Sequence, residues 1–131
     1  MHGYTDNLEK QTRKNSYFRR ILYTAKNSQL VLMSVRPNEE IGEEIHDGDQ
    51  FFRFEEGEGI VVIDGKSHKV SDGDAVIVPA GARHNVINSS GKKALKLYTI
   101  YCPPHHRDGV VHKTKEDALK KEEHFDGGTS E

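Results

Sequence analysis

His84 stands at the end of a run whose residue types and spacing could do chemistry. Residues 73–88 read GDAVIVPAGARHNVIN. Asp72-Gly73 is a turn dipeptide, and Ala75 to Val78 is a β-branched run suited to a strand. Pro79-Ala80-Gly81 stops that strand and turns the chain. His84 then opens the next strand, with its ring aimed to one face near a sheet end. That is a good place for a metal-ligating imidazole. A second group of histidines, His105, His106 and His112, lies within eight residues after Pro103-Pro104. It reads either as a lid that brings an imidazole over the first site, or as a surface loop whose histidines bond to backbone.

The spacing Gly73, Pro79, Gly81, His84, Asn88 resembles the second signature motif of the cupins, G-x5-P-x-G-x2-H-x3-N, at every fixed position. The resemblance implies that His84 is a metal ligand. The first cupin motif, G-x5-H-x-H-x3or4-E-x6-G, is matched in part by NEEIGEEIHDGDQFFRFEEG. Counting back from Gly57, Gln50 takes the glutamate position, His46 the second histidine position, Glu44 the first, and Asn38 the opening glycine position. The implied ligand set is Glu44, His46, Gln50 and His84. Glu44 and His46 are two apart in an extended segment and so share a face. Asp47-Gly48-Asp49 is a turn-like insert that lets Gln50 face the same way.

The usual cupin set is three imidazoles and one carboxylate. Here there are two imidazoles, one amide and one carboxylate, so the charge around a divalent ion is unchanged. An amide oxygen in place of an imidazole moves preference toward harder ions such as Mn²⁺, while the imidazoles still suit Zn²⁺, Fe²⁺ and Ni²⁺. The cofactor expected is one divalent ion of that group. Glu44, His46 and His84 also have the composition of the two-histidine, one-carboxylate triad of Fe²⁺ oxygenases. Zinc-type phosphomannose isomerases, also of cupin fold, use a glutamine, a glutamate and two histidines. The Pro-Pro-His-His end of the last strand resembles a bacterial subgroup loosely described as mannose-6-phosphate isomerase-like. The resemblance supports a metal site without choosing the chemistry. The chemistry preferred is isomerisation of a sugar or sugar acid, with the metal as Lewis acid and His105 or His106 as catalytic base. The alternatives are an Fe²⁺ dioxygenase and a cupin that binds a small molecule without turning it over.

The elements that must position these residues follow from punctuation. Between Tyr17 and Tyr101, apolar runs alternate with turn signals, among them Asp64-Gly65, a type I′ hairpin signal. The fold class expected is all-β, a double-stranded β-helix or jelly-roll barrel, with a short C-terminal helix. Residues 1–15 are read as a flexible polar arm, 16–112 as the barrel, and 113–131 as a short helix and a disordered tail. Thr114 and Asp117 make a capping-box-like start for a helix from Lys115 to about Glu123. Alternation along the strands places Gln50, Phe52, Phe54, Val86 and Tyr101 inside. Of these, Phe52, Phe54, Val86 and Tyr101 would line the substrate pocket. Phe51 and Arg53 face outward, and with Tyr17 to Tyr23 they suggest the face of a homodimer.

Composition narrows the partners. The chain has 131 residues, net charge −2 and 34% hydrophobic residues, with no bias toward nucleic acid and no membrane-length apolar run. Its single cysteine, Cys102, forms no internal disulfide, and no signal-like apolar segment opens the sequence. A cytoplasmic protein acting on a small molecule is expected. The basic N-terminal residues Lys10, Arg13, Lys14, Arg19 and Arg20 read as an anion contact, a partner arm or plain solvated charge. Arg83 and Lys96 are the candidates for an inward cation that would hold a charged substrate.

Overall fold

The computed structural model describes all residues, 1–131. A first helix, α1 (Leu8–Lys14), is followed by eight strands: β1 (Arg19–Thr24), β2 (Gln29–Val35), β3 (Asp49–Glu56), β4 (Glu58–Ile63), β5 (Lys66–Ser71), β6 (Ala75–Val78), β7 (His84–Asn88) and β8 (Leu95–Cys102). A two-residue strand β9 (Val111–His112) and a helix α2 (Lys115–Lys120) close the order. Two antiparallel sheets result. The larger has the strand order β6-β3-β8-β2-β1-β9 and the smaller β5-β4-β7. This is the expected jelly roll.

Strand alternation builds the core between the sheets. Val31, Met33 and Val35 of β2, Phe52 and Phe54 of β3, Val61 of β4, Val86 of β7 and Leu95 and Leu97 of β8 are all essentially inaccessible. Burying one such side chain contributes about 1.5–3 kcal/mol relative to leaving it exposed. Asp64 and Gly65 have φ of 46° and 81°, as the β4–β5 hairpin turn requires. On the outer face of the larger sheet, Ile77, Phe51, Ile100 and Leu30 lie in register across four strands. Ile77 there is 68% exposed.

Three terminal expectations are corrected. Residues 8–14 are a helix rather than a loose arm. Asn7 caps it by accepting from the Lys10 amide, and Asn15 ends it. The helix is held by charge and hydrogen bonds rather than an apolar stripe. Arg13 reaches Glu56 and Asp72, the Lys96 ammonium donates to the Arg13 carbonyl, and Thr12 is fully buried. The tail is also placed: Ser130 and Thr24 exchange bonds, with the Ser130 amide donating to the Thr24 carbonyl. The Glu131 carboxylate accepts from the amides of His2 and Gly3 and from the Tyr23 hydroxyl. Helix α2 begins as expected, Thr114 accepting from the Asp117 amide, but it stops at Lys120. Only Ala118 of α2 is buried.

Candidate metal centre

The segment before β3 is laid along β7 by backbone bonds. The Ile41 amide donates to Val86, Asn88 donates to Glu39, and Glu44 and His84 exchange bonds of 2.8 and 2.9 Å. Glu44 is thereby fixed beside His84. The Gly81 amide donates to the His46 carbonyl at 2.8 Å, so the turn before His84 also fixes His46. Gly48 lets the following turn lie against the end of β8. A Cβ there would stand 2.3 Å from the Cys102 carbonyl oxygen. The residues assigned from two distant stretches of sequence thus meet at one barrel end through main-chain bonds.

Within this frame, His84 Nδ1 is 3.0 Å from the Ala82 carbonyl. That contact makes Nδ1 the protonated nitrogen and leaves the Nε2 lone pair free. Gln50 is buried, and its amide nitrogen donates to Thr99 Oγ1 at 3.0 Å, while Thr99 donates to the Phe51 carbonyl. Gln50 Oε1 is left buried without a partner. His46 Nε2 lies 3.0 Å from Glu44 Oε2, yet it too is buried and makes no well-aligned hydrogen bond. Glu44, Gln50 and His84 line, with Phe52, Val86 and Tyr101, an inner cavity of about 10 Å³, room for a single water-sized occupant.

His105 lies outside this layer. Its ring centre is 4.3 Å from that of His46 and 5.3 Å from that of Tyr101. Donor atoms of Glu44, His46 and His105 all fall within 4.8 Å of one another. His84 is not a member of that tight trio, although its ring centre is 5.2 Å from that of His46. The histidine segment therefore runs over the metal-candidate end of the barrel. It is held by Gln29, which the sequence reading missed. Gln29 is fully buried; its Oε1 accepts from the amides of His105 and His106 and its Nε2 donates to the His106 carbonyl and to Thr24. A glutamine opening the apolar strand QLVLMSV on its inward face was the available signal. His106 turns away from the trio and meets the Tyr101 hydroxyl at 3.3 Å. His112 sits on β9 beside Arg19.

The electrostatics follow from burial. Burial pushes the Glu44 carboxyl up, but contact with His46 and the charges of His46, Arg19 and His105 outweigh it and leave the group below its usual range. Burial, with His46 nearby, pushes His105 down to about 4, and burial pushes His106 down to about 2. Burial and Glu44 push the Tyr101 hydroxyl up. Both imidazoles are neutral at pH 7.

A larger cavity of about 250 Å³ opens on the outer side of Glu44 and His105, between the 41–44 segment and α2. Arg19 lines it. Three pocket assignments change accordingly. Phe54 is wholly within the core rather than on a cavity wall. Arg83 pairs with Glu43 at the surface and Lys96 caps α1, so neither is an inward cation. The inward cation is Arg19.

Residues 31–101 match the family model described as a cupin domain. The chain belongs to the cupin family. Over 125 residues this cupin is 48% identical to YrkC, an uncharacterized protein of Bacillus subtilis, covering 89% of this chain and 66% of that one. It is 44% identical over 113 residues to the uncharacterized protein L612 of Acanthamoeba polyphaga mimivirus, covering 82% and 70%. The cupin thus spans about two thirds of the length of the curated relatives it matches. It also superimposes on the crystal structure of BH2720 from Bacillus halodurans with a TM-score of 0.88, at 42% identity, covering 92% of this chain and 96% of that one. No helix is long and apolar enough to cross a membrane.

The donor set fits a divalent cation. His46 Nε2 and Glu44 Oε2 stand 3.0 Å apart, an imidazole nitrogen and a carboxylate oxygen close enough to be shared by one small cation. Buried polar atoms without partners are costly unless something satisfies them. Of the two here, His46 Nε2 faces Glu44, while Gln50 Oε1 belongs to a residue that lines the inner cavity with Glu44 and His84.

Proposed function

We propose that this cupin holds one divalent ion at Glu44 and His46, backed by His84 and Gln50, and acts on a small oxygen-rich molecule in the outer cavity. The partnerless, buried His46 Nε2 facing Glu44 carries the reading. The ion, when bound, supplies Lewis-acid polarisation of a carbonyl or hydroxyl oxygen. Glu44 and His46 fix its position, and Thr99 turns the Gln50 amide so that its oxygen faces inward. Tyr101 and Phe52 wall the inner side, which leaves room for no more than a single water. His105, neutral at pH 7 and facing the outer cavity, is the group placed to take and return a proton. Those parts suffice for isomerisation of a sugar or sugar acid. Elemental analysis of the purified protein tests the reading: about one divalent ion per chain is expected, and its loss in His46→Ala. A metal content near zero in the unsubstituted protein sinks it.

A second reading is favoured by one observation, the Glu44, His46, His105 trio. If His105 is itself a donor, two imidazoles and one carboxylate would suit Fe²⁺ and oxygen chemistry. His105→Ala separates the two. Retained metal removes His105 from the donor set and sets the second reading aside; lost metal, with oxygen consumption in the iron-loaded protein, supports the oxygenase.

A further inference from the structure

Arg19 is a charged side chain at an inward position of a barrel strand. Its register partner on β2 is the core residue Met33, and the next inward residue on β1 is the buried Ile21. Such a position ordinarily carries an apolar side chain. The Arg19 Nε is buried and has no hydrogen-bond partner. One terminal nitrogen reaches His112 Nδ1 at 3.5 Å, the far limit of a hydrogen bond, and the guanidinium lies 5.3 Å from the Phe18 ring centre. Arg19 takes part in none of the salt bridges of the molecule. Arg19 is half-buried and has Glu44 as a charged neighbour, whose carboxyl it helps hold below the usual range, but no carboxylate bonds to it directly. A buried guanidinium nitrogen without a partner is costly, and the group cannot escape by losing its proton.

The place of this cation gives it a use. Arg19 lines the 250 Å³ cavity together with Glu44, His105 and Lys115. Lys115 also makes no salt bridge, whereas Glu43 and Glu123 on the same rim are already paired with Arg83 and with Arg107 and Lys121. Glu44 and Glu122, the latter meeting only His124, supply two negative charges against Arg19, Lys115 and a divalent ion, so the loaded cavity keeps a positive surplus that Arg19 increases. The cavity is smaller than the ~300–1,000 Å³ typical of drug-sized ligands, which limits the occupant to a small molecule. We infer that Arg19 anchors the anionic end of that molecule, so that the ligand class is a small oxyanion, a carboxylate or phosphate, rather than a neutral sugar. The inference rests on the reading of the outer cavity as the substrate site. A guanidinium fork matches the two oxygens of a carboxylate or phosphate in a way that an ammonium does not.

Calorimetric titration of the Zn²⁺-loaded full chain with D-glucuronate, inorganic phosphate and D-glucose tests this. At least one anion should bind ten or more times as tightly as glucose, and the stronger of the two identifies carboxylate or phosphate as the head group. Arg19→Gln should bring that anion down to the affinity of glucose, and Arg19→Lys should keep part of the preference. An unsubstituted protein with no preference for either anion overturns the inference, as does Arg19→Gln binding as tightly as the parent. If Arg19→Gln does not fold, by its melting curve, the parent's preference and its reduction in Arg19→Lys decide. Zinc content measured in the same samples keeps the two readings apart. Absent zinc defeats the metal reading alone, because the anion preference is then read on the metal-free protein, where Arg19 is unchanged.

Discussion

His46 is the residue on which the most depends, because its free nitrogen is buried and its neighbours supply no aligned hydrogen bond. Removing its imidazole takes away a donor that Glu44 cannot replace. His46→Ala is expected to drop metal content from about one per chain to near zero, read by mass spectrometry of the purified protein. Gln50→Ala should be milder, weakening metal affinity by roughly tenfold, the lower end of what loss of a supporting group costs; competition with a chelating dye measures it. Thr99 acts one step behind. Its hydroxyl is the acceptor that fixes which end of the Gln50 amide faces inward. Thr99→Val leaves that amide nitrogen buried without an acceptor, and a loss of about 1–3 kcal/mol in urea melts follows.

At the scale of elements, Gln29 ties β2 to the chain after β8. Three of its four bonds go to backbone groups of His105 and His106. Gln29→Leu keeps the volume and orphans those groups, so it should cost about 2–4 kcal/mol, as the penalty for buried unpaired polar groups predicts. It should also raise hydrogen exchange at the His105 and His106 amides. Much of the element layout was legible beforehand. Period-two alternation placed Gln50, Phe52, Val86 and Tyr101 inside, since one face of each strand must be buried. The turn dipeptides fixed the hairpins. Helix α1 was not legible, because it carries no apolar stripe and its attachments are ion pairs to residues 43 and 59 positions away. Arg19 was hidden for a related reason: within a basic run its charge looks like solvated surface, and only pairing with Met33 shows that it points inward. Phe54 followed the correct alternation, yet alternation cannot tell a cavity wall from the core.

For the whole molecule, burial of neutral histidine sets an acid limit. His106 is pushed down to about 2 by burial, against an ordinary value of 6.5. The folded state refuses a proton that the unfolded chain accepts below pH 6.5. The contribution of neutral His106 is therefore complete above that pH and is lost as the pH drops from 6.5 toward 2. One such group gives a slope of about 1.4 kcal/mol per pH unit. Urea melts of metal-free protein between pH 6.5 and 4.5 should show His106→Gln losing less stability per unit than the parent, by about that slope. Equal slopes would mean that His106 does not set the limit.

The four bonds of Gln29 have a kinetic consequence. They make the histidine segment a fixed roof over Glu44, whereas another wall of the outer cavity is held less firmly. That wall is α2, six residues long with one buried side chain. Short helices with few apolar contacts open at little free-energy cost. Fraying of α2 should thus widen the way into the cavity. Stopped-flow association should then accelerate when Ala118→Gly loosens the helix, and should also accelerate in Gln29→Leu, where the roof itself is released.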